Sequence, residues 1–157
     1  MLIRVFFYGL NIVYTAVLAG FMISYVVTMG SFFNHTLSHG RRPELQQLLL
    51  PFHKDEKVST KYAAWVLGQV LVAGVSLALN FSHLPLGAQV LAVLAMPLWY
   101  MFHRFSGFAR LEHLAEGGPQ DVPDQVVQRF VRLNLPVHSA YAAVYLLTAA
   151  WLVAGLV

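Results

Sequence analysis

The sequence predicts an all-α polytopic membrane protein in which four transmembrane helices form an antiparallel bundle. The chain has ten basic and seven acidic side chains, and all of them except Arg4 lie within residues 41–61 and 104–132. The rest is almost uninterruptedly apolar, since 58% of all residues are hydrophobic and only 11% are charged. Soluble domains average roughly 25% charged residues and give each helix a polar face. The charge pattern therefore excludes a soluble globule and indicates a chain threaded through a bilayer.

Four apolar stretches predict the order of the helices, at residues 5–33, 62–79, 86–102 and 137–157. Each is close to or longer than the roughly 17 to 25 residues that a spanning helix needs. The first stretch exceeds the hydrophobic region of a signal peptide and lacks an A-x-A cleavage site, so it is predicted to remain as a helix. The spans use most of the 157 residues, which predicts a single four-helix transmembrane domain over residues 1–157.

The distribution of Lys and Arg predicts the orientation. Apart from Arg4, every basic residue lies in the two charged segments, and the connection around Phe81 to Pro85 has none. The positive-inside rule then puts both charged segments in the cytoplasm and both termini outside, in the periplasm of a bacterial inner membrane. This loop bias explains the net charge of +3, so lipid is the expected partner and nucleic acid is not.

Helical extensions are predicted on the cytoplasmic side. The first helix is expected to run on to His39, before Gly40. After the third span, apolar residues recur at every third position, which predicts an unbroken amphipathic continuation through Phe105, Phe108, Leu111 and Leu114. Gly117, Gly118 and Pro119 end that continuation, and Asp121 is the predicted N-cap of a helix that leads into the fourth span.

The histidines carry the candidate chemistry, because none of the spans contains an internal charged residue or a mid-span histidine. At a rise of about 1.5 Å per residue, His39 falls level with Glu112 and His113 beyond the membrane surface. Imidazole and carboxylate ligands suit zinc or non-haem iron. The candidate metal ligands of this upper cluster are therefore His35, His39, Glu112, His113 and Glu116.

A lower cluster is predicted at the membrane surface, where His103 leaves the third span and His138 enters the fourth. These two side chains are candidates for axial haem ligands, or for an acid/base pair beside a lipophilic substrate. Asn134, one turn before His138, is the third candidate catalytic residue. The alternative is that the histidines are ordinary interfacial residues within an aromatic belt of Tyr62, Trp65, Trp99 and Tyr100. His53 and His83 are expected in solvated loops.

The last third of the chain resembles a known family in the order and spacing of His103, Gly107, Gly117, Gly118, Arg129, Phe130, Arg132, Asn134 and Pro136. This run is similar to the third and fourth helices of HemJ-type protoporphyrinogen oxidases, which are small four-helix membrane proteins that carry haem b. The chain departs from them at Leu135, where the family has Glu, and lacks the family's first-helix histidine and third-helix lysine. The resemblance implies a membrane redox enzyme with haem b.

Two functions are predicted from these observations. The first is a haem- or metal-dependent redox enzyme that acts on a lipophilic small molecule at the cytoplasmic membrane face. The second is a non-catalytic accessory or assembly subunit without a cofactor, docking other membrane subunits or a second copy. Its docking surfaces are the small-residue pairs Ala64 with Gly68 and Ala150 with Ala154. The chain contains no cysteine, which excludes disulfides and thiolate metal sites.

Overall fold

In the computed structural model, which describes residues 2–82, 84–117 and 122–156, the chain is helical and contains no strand in these ranges. The first helix begins as α1 (Leu2–Ser24), widens into a π-helical turn (Tyr25–Met29) and continues as α2 (Gly30–Ser38). Then follow α3 (Arg42–Asp55), α4 (Val58–Asn80) and α5 (Leu86–Phe105). The short helix α6 (Phe108–Glu112) passes into a second π-helical turn (His113–Gly117), and α7 (Asp124–Ala154) is the last helix.

Four helical segments of the described chain are long and apolar enough to cross a membrane. They are the continuous first helix Leu2–Ser38, α4, α5 and α7. The predicted all-helical fold, with four apolar helices of membrane-spanning length, is confirmed. Two helices are longer than their apolar stretches. Helix α7 already begins at Asp124, and the first helix runs on to Ser38, one residue before its predicted end at His39.

The helices pack side by side, with α1 against α4 and α7, and α5 against both α4 and α7. Buried polar side chains join them, as the Gln69 amide donates to Thr15 Oγ1 at 3.3 Å and to the Ala92 carbonyl at 3.0 Å. Ser76 on α4 likewise donates to Gln89 on α5 at 3.2 Å. Hydrogen bonds of this kind stabilise membrane helix pairs by roughly 0.6 kcal/mol on average.

The prediction that the third helix continues unbroken beyond the membrane is wrong. Helix α5 ends at Phe105, and Gly107 takes a left-handed conformation with φ of +79° before α6 begins. Glycine adopts this conformation readily because it has no Cβ to clash with the backbone. The segment after Gly107 has a buried face of its own, which includes Phe108 and Ala115. The break turns the chain back, so that Glu112 contacts His103 at the end of α5.

Helix α3 occupies a segment to which the sequence analysis assigned no helix. Its buried face consists of Arg42, Leu45 and Leu49. The guanidinium of Arg42 donates hydrogen bonds to the carbonyls of Ala115 at 2.8 Å and Leu114 at 2.7 Å, which belong to the second π-helical turn. These bonds hold α3 against that turn. The predicted N-cap Asp121, together with Gly118 and Pro119, lies outside the described residues.

Candidate functional site

The predicted catalytic residue Asn134 is fully buried at the point where α7 crosses the first helix. Its side-chain oxygen accepts a hydrogen bond from the Tyr25 hydroxyl at 3.0 Å. Its side-chain nitrogen donates to Asn34 Oδ1 at 3.0 Å and to the Gly30 carbonyl at 3.3 Å. Every polar atom of the amide is therefore used, and Asn134 ties the first helix to α7.

His138, one turn after Asn134, is buried with a defined orientation. Its Nδ1 atom lies 2.9 Å from the backbone carbonyl of Asn134. A carbonyl only accepts hydrogen bonds, so Nδ1 carries the proton in the neutral ring and Nε2 keeps its lone pair. The ring packs against that of Tyr25, with centroids 4.1 Å apart. This arrangement leaves Nε2 of His138 as a candidate proton acceptor.

Tyr25 owes its position to the π-helical turn that it begins. Such a turn widens the helix by one residue and often marks a functional site. Without the extra residue, the side chains that follow would rotate to a different face of the helix. The turn therefore sets the face on which Tyr25 lies relative to Asn134 and His138.

The second predicted histidine of the lower cluster, His103, uses both ring nitrogens within the protein. Its Nε2 atom lies 2.9 Å from Glu112 Oε2, and its Nδ1 atom lies 3.4 Å from the Tyr141 hydroxyl. The rings of Phe108 and Tyr141 each contact both His103 and His138. His103 and His138 are thus part of one cluster, as predicted, and Glu112 belongs to it instead of to the upper cluster.

Glu116 lies in the second π-helical turn, four residues after Glu112. Its Oε1 atom is buried and has no hydrogen-bond partner among the described residues. Burial, together with the neighbouring carboxylate of Glu112, raises the pKa of Glu116 to about 8. At neutral pH the side chain is therefore a neutral acid that holds a proton beside the His103–Glu112 pair.

A cavity of about 430 Å³ opens beside Tyr25 and His138. It lies among the first helix, α3, α4, α5 and α7, and most of its lining is apolar: Phe21, Met22, Met29, Phe33, Phe52, Val58, Val66 and Trp99. The polar side chains in its wall are Tyr25, His53, Tyr62 and His138. A mostly apolar cavity with a few convergent polar groups is typical of a small-molecule site.

The upper cluster is not gathered around a common point. His35 and His39 lie close together, with ring centroids 4.3 Å apart, but both are exposed, and His39 Nδ1 bonds the His35 carbonyl. His113 is exposed on the second π-helical turn. Within the described ranges, no group of three or more His, Asp or Glu side chains is arranged to hold a metal ion.

The lower cluster fits axial haem ligation poorly. Both nitrogens of His103 are engaged by Glu112 and Tyr141, and the Phe108 and Tyr141 rings pack against both histidines. A haem iron requires a free nitrogen on each axial histidine and an open slot for the macrocycle. The arrangement is better suited to proton transfer, which needs hydrogen-bonded partners with both donor and acceptor atoms.

Comparisons of the chain with protein-family models, with curated proteins and with solved structures find no match. The resemblance to HemJ-type oxidases stays a prediction from residues 103–136. The class that the fold itself defines is an all-helical protein whose described residues include four helices long and apolar enough to cross a membrane.

Several residues of the site were not predicted from the sequence. No local sequence pattern marked Tyr25 and Tyr141 as site residues, because a tyrosine in an apolar stretch is common near a membrane surface. The prediction of a solvated loop for His53 is wrong, since it lies half-buried in α3 and lines the cavity. Trp99 was assigned only to the aromatic belt, yet it lines the cavity and packs edge-on against Tyr141. His83 lies outside the described residues.

Proposed function

We propose that this chain is an integral membrane enzyme that binds a lipophilic small molecule at the headgroup level of the bilayer and exchanges a proton with it through His138. The observation that carries this proposal is the cavity of about 430 Å³, whose apolar wall is interrupted by the side chains of Tyr25 and His138. A lipophilic molecule is stabilised by the apolar lining, and the polar pair orients its reactive group.

For the topology we propose an antiparallel four-helix bundle with the charged end in the cytoplasm of a bacterial cell and both termini outside. The Lys and Arg distribution supports this orientation. The hydrogen bond from Tyr8 near the start of α1 to the Leu152 carbonyl near the end of α7, at 2.7 Å, supports the antiparallel pairing. In this arrangement the end of α2, α3, α6 and the start of α7 are helical extensions at the cytoplasmic end of the bundle.

The proposed proton transfer follows from the hydrogen bonds of the two histidines. His138 Nε2 accepts the proton, because Nδ1 is held by the Asn134 carbonyl at 2.9 Å. Asn134 is a positioning residue that orients both His138 and Tyr25. His103, paired with Glu112 at 2.9 Å, is the second acid/base group of the same cluster. A positioned acid/base group typically accelerates a reaction about 10² to 10⁴-fold.

The redox character of the predicted enzyme rests on the sequence resemblance and on the depths predicted for the histidines. The described residues offer no ligand set for a metal ion and fit a haem poorly, so the proposal is confined to binding and proton transfer. An absorption spectrum in the Soret region and elemental analysis of the detergent-purified protein test the haem and metal predictions directly.

Binding is tested by filling the cavity. Val66 lines the cavity, whereas the next residue, Leu67, is 56% exposed on the outside of α4. Val66→Trp and Leu67→Trp thus place the same large side chain inside and outside the site. Wild-type protein and both variants are purified in detergent, extracted with organic solvent and compared by mass spectrometry. A lipophilic molecule should accompany the wild type and Leu67→Trp but be lost from Val66→Trp. Indistinguishable extracts from all three proteins would overturn the proposal.

The accessory-subunit prediction remains as a second proposal because of one observation. Ala150 and Ala154 are both exposed on α7, so their small-residue pair is available to another helix. Gly68, by contrast, packs internally, since a Cβ there would lie 3.2 Å from the Tyr14 ring. Ala154→Leu should therefore abolish co-purification of a partner subunit, whereas Ala143→Leu, which is also exposed on α7, should not.

A further inference from the structure

Helix α3 carries an apolar side that the rest of the described chain does not cover. Leu48 is 74% exposed and Phe52 is 52% exposed, although the same helix buries Leu45 and Leu49 against the protein. Phe32 on α2 is also half-exposed. The three exposed side chains border one groove of about 380 Å³ between α2 and α3, whose wall also includes His35, Arg41 and Glu44. Large apolar side chains clustered in this way mark a surface that meets an apolar partner.

The depth of this surface in the membrane follows from the residues that lie next to it. Phe52 lines both the groove and the cavity, where it meets Met29 and Phe33 of the first membrane-spanning segment. The C-terminal half of α3 therefore lies at the level where the first helix leaves the bilayer. Leu48 is four residues earlier, which is roughly 6 Å along the helix and still within the headgroup layer.

Polar side chains flank this surface. Gln47 and Lys54 are exposed on α3, Lys57 follows in the turn to α4, and Lys61 lies in the first turn of α4. Lys61 forms an ion pair with Glu56 at 3.0 Å, which is exposed as well. Exposed Leu and Phe side chains flanked by Lys and other polar residues are typical of helices that lie in a membrane interface.

We infer that the C-terminal half of α3 lies in the headgroup layer of the bilayer, with Leu48, Phe52 and Phe32 in contact with lipid acyl chains. The partner of this surface is lipid because the surface continues the exposed apolar side of the first membrane helix at the same depth. This inference does not rest on the proposed enzymatic function. It puts lipid beside the wall of the cavity that Phe52 forms.

The absence of cysteine from the chain makes the test direct, because each introduced cysteine carries the only label. Nitroxide labels are placed singly at Leu48→Cys and Gln47→Cys, two adjacent exposed positions on different sides of α3. Leu71→Cys, on the exposed side of α4 at 69% exposure, is the reference for a lipid contact. The labelled proteins are reconstituted in phosphatidylcholine vesicles that contain a minor fraction of phosphatidylglycerol.

Accessibility to oxygen, which concentrates in lipid, is then compared with accessibility to a water-soluble nickel chelate. The label at residue 48 should resemble the one at residue 71, with high oxygen and low nickel accessibility, whereas the label at residue 47 should show the reverse. Nickel accessibility at residue 48 equal to that at residue 47 would mean that water covers the surface. Shielding of residue 48 from both reagents would mean that a protein or a second copy covers it. Either result overturns the inference.

Discussion

The Tyr25 hydroxyl donates a hydrogen bond to the side-chain oxygen of Asn134 at 3.0 Å, across 109 positions of the sequence. The backbone carbonyl of the same Asn134 lies 2.9 Å from His138 Nδ1. One residue of α7 thus holds a tyrosine of the first helix and a histidine of its own helix together, with ring centroids 4.1 Å apart. The orientation of the candidate site depends on this residue.

Replacing Asn134 by leucine should therefore destabilise the protein. The substitution keeps the approximate volume but leaves the Tyr25 hydroxyl and Asn34 Oδ1 without their partner, which costs about 1 to 3 kcal/mol for each buried group. Thermal unfolding in detergent measures the loss. Tyr25→Phe combined with Asn134→Leu should cost less than the sum of the two single variants, because both remove the same hydrogen bond. Leu146→Ala, at an exposed position of α7, should change little. Strict additivity would mean that the two side chains do not interact.

His138→Gln should separate binding from chemistry. His138 lines the cavity, so the variant should still copurify with the lipophilic molecule, yet convert it about 10² to 10⁴ times more slowly. Conversion is followed by mass spectrometry of membranes that contain the wild type or the variant. Ser139→Ala changes an exposed neighbour on α7 and should keep the wild-type rate. A rate that falls with His35→Gln but not with His138→Gln would move the chemistry to the upper cluster.

Glu116 should make stability depend on pH. Its pKa is about 8 in the folded protein, raised by burial and by Glu112 from the ordinary value of 4.5. Between these values the folded form binds more protons than the unfolded form, so stability falls as the pH rises from about 4.5 through about 8. Glu116→Gln should flatten this slope in melting temperatures measured across the range. Asp124→Asn, at an exposed carboxylate, should leave the slope in place. An unchanged slope in Glu116→Gln would show that another group causes it.

Gly107→Ala should weaken the turn that brings Glu112 to His103. A φ of +79° costs a residue with a Cβ about 1 to 2 kcal/mol, although no atom lies within 4 Å of the added methyl group. Gly74→Ala also adds a methyl group into open space, but within the regular helix α4, and should be neutral or slightly stabilising. Melting temperatures of the two variants make the comparison. Equal effects would show that backbone conformation at residue 107 does not limit stability.

The fold class and the approximate spans were predictable because each depends on the hydrophobicity of one contiguous stretch of the chain. Each apolar stretch by itself predicts one span, and the first helix ends at Ser38, two residues before Gly40, where φ is +69°. Gln69 and Ser76, polar residues within apolar stretches, hydrogen-bond between helices, as such residues commonly do in membrane proteins. The break at Gly107 was missed because apolar residues keep the same spacing on both sides of it.

The candidate site was predictable only in part. His103 and His138 were grouped from their depth, because rise per residue along a helix is nearly constant, and the rings of Phe108 and Tyr141 contact both. Glu112 was grouped with His39 on the same reasoning, and the chain reversal at Gly107 pairs it with His103 instead. The π-helical turn at Tyr25 has no sequence signal, so the face of the helix on which Tyr25 lies was not predictable.

The sequence by itself determined that this is a helical membrane protein with four apolar helices, since bilayer thickness sets the length of each span and unsatisfied backbone groups are costly in lipid. Only the tertiary structure decided which polar side chains meet. The depth of a residue in the membrane follows from counting residues along its helix. The face that each helix presents to its neighbours depends on how the helices pack, on the π-helical turns and on the break at Gly107. Those features bring Tyr25, Asn134 and His138 to one cavity.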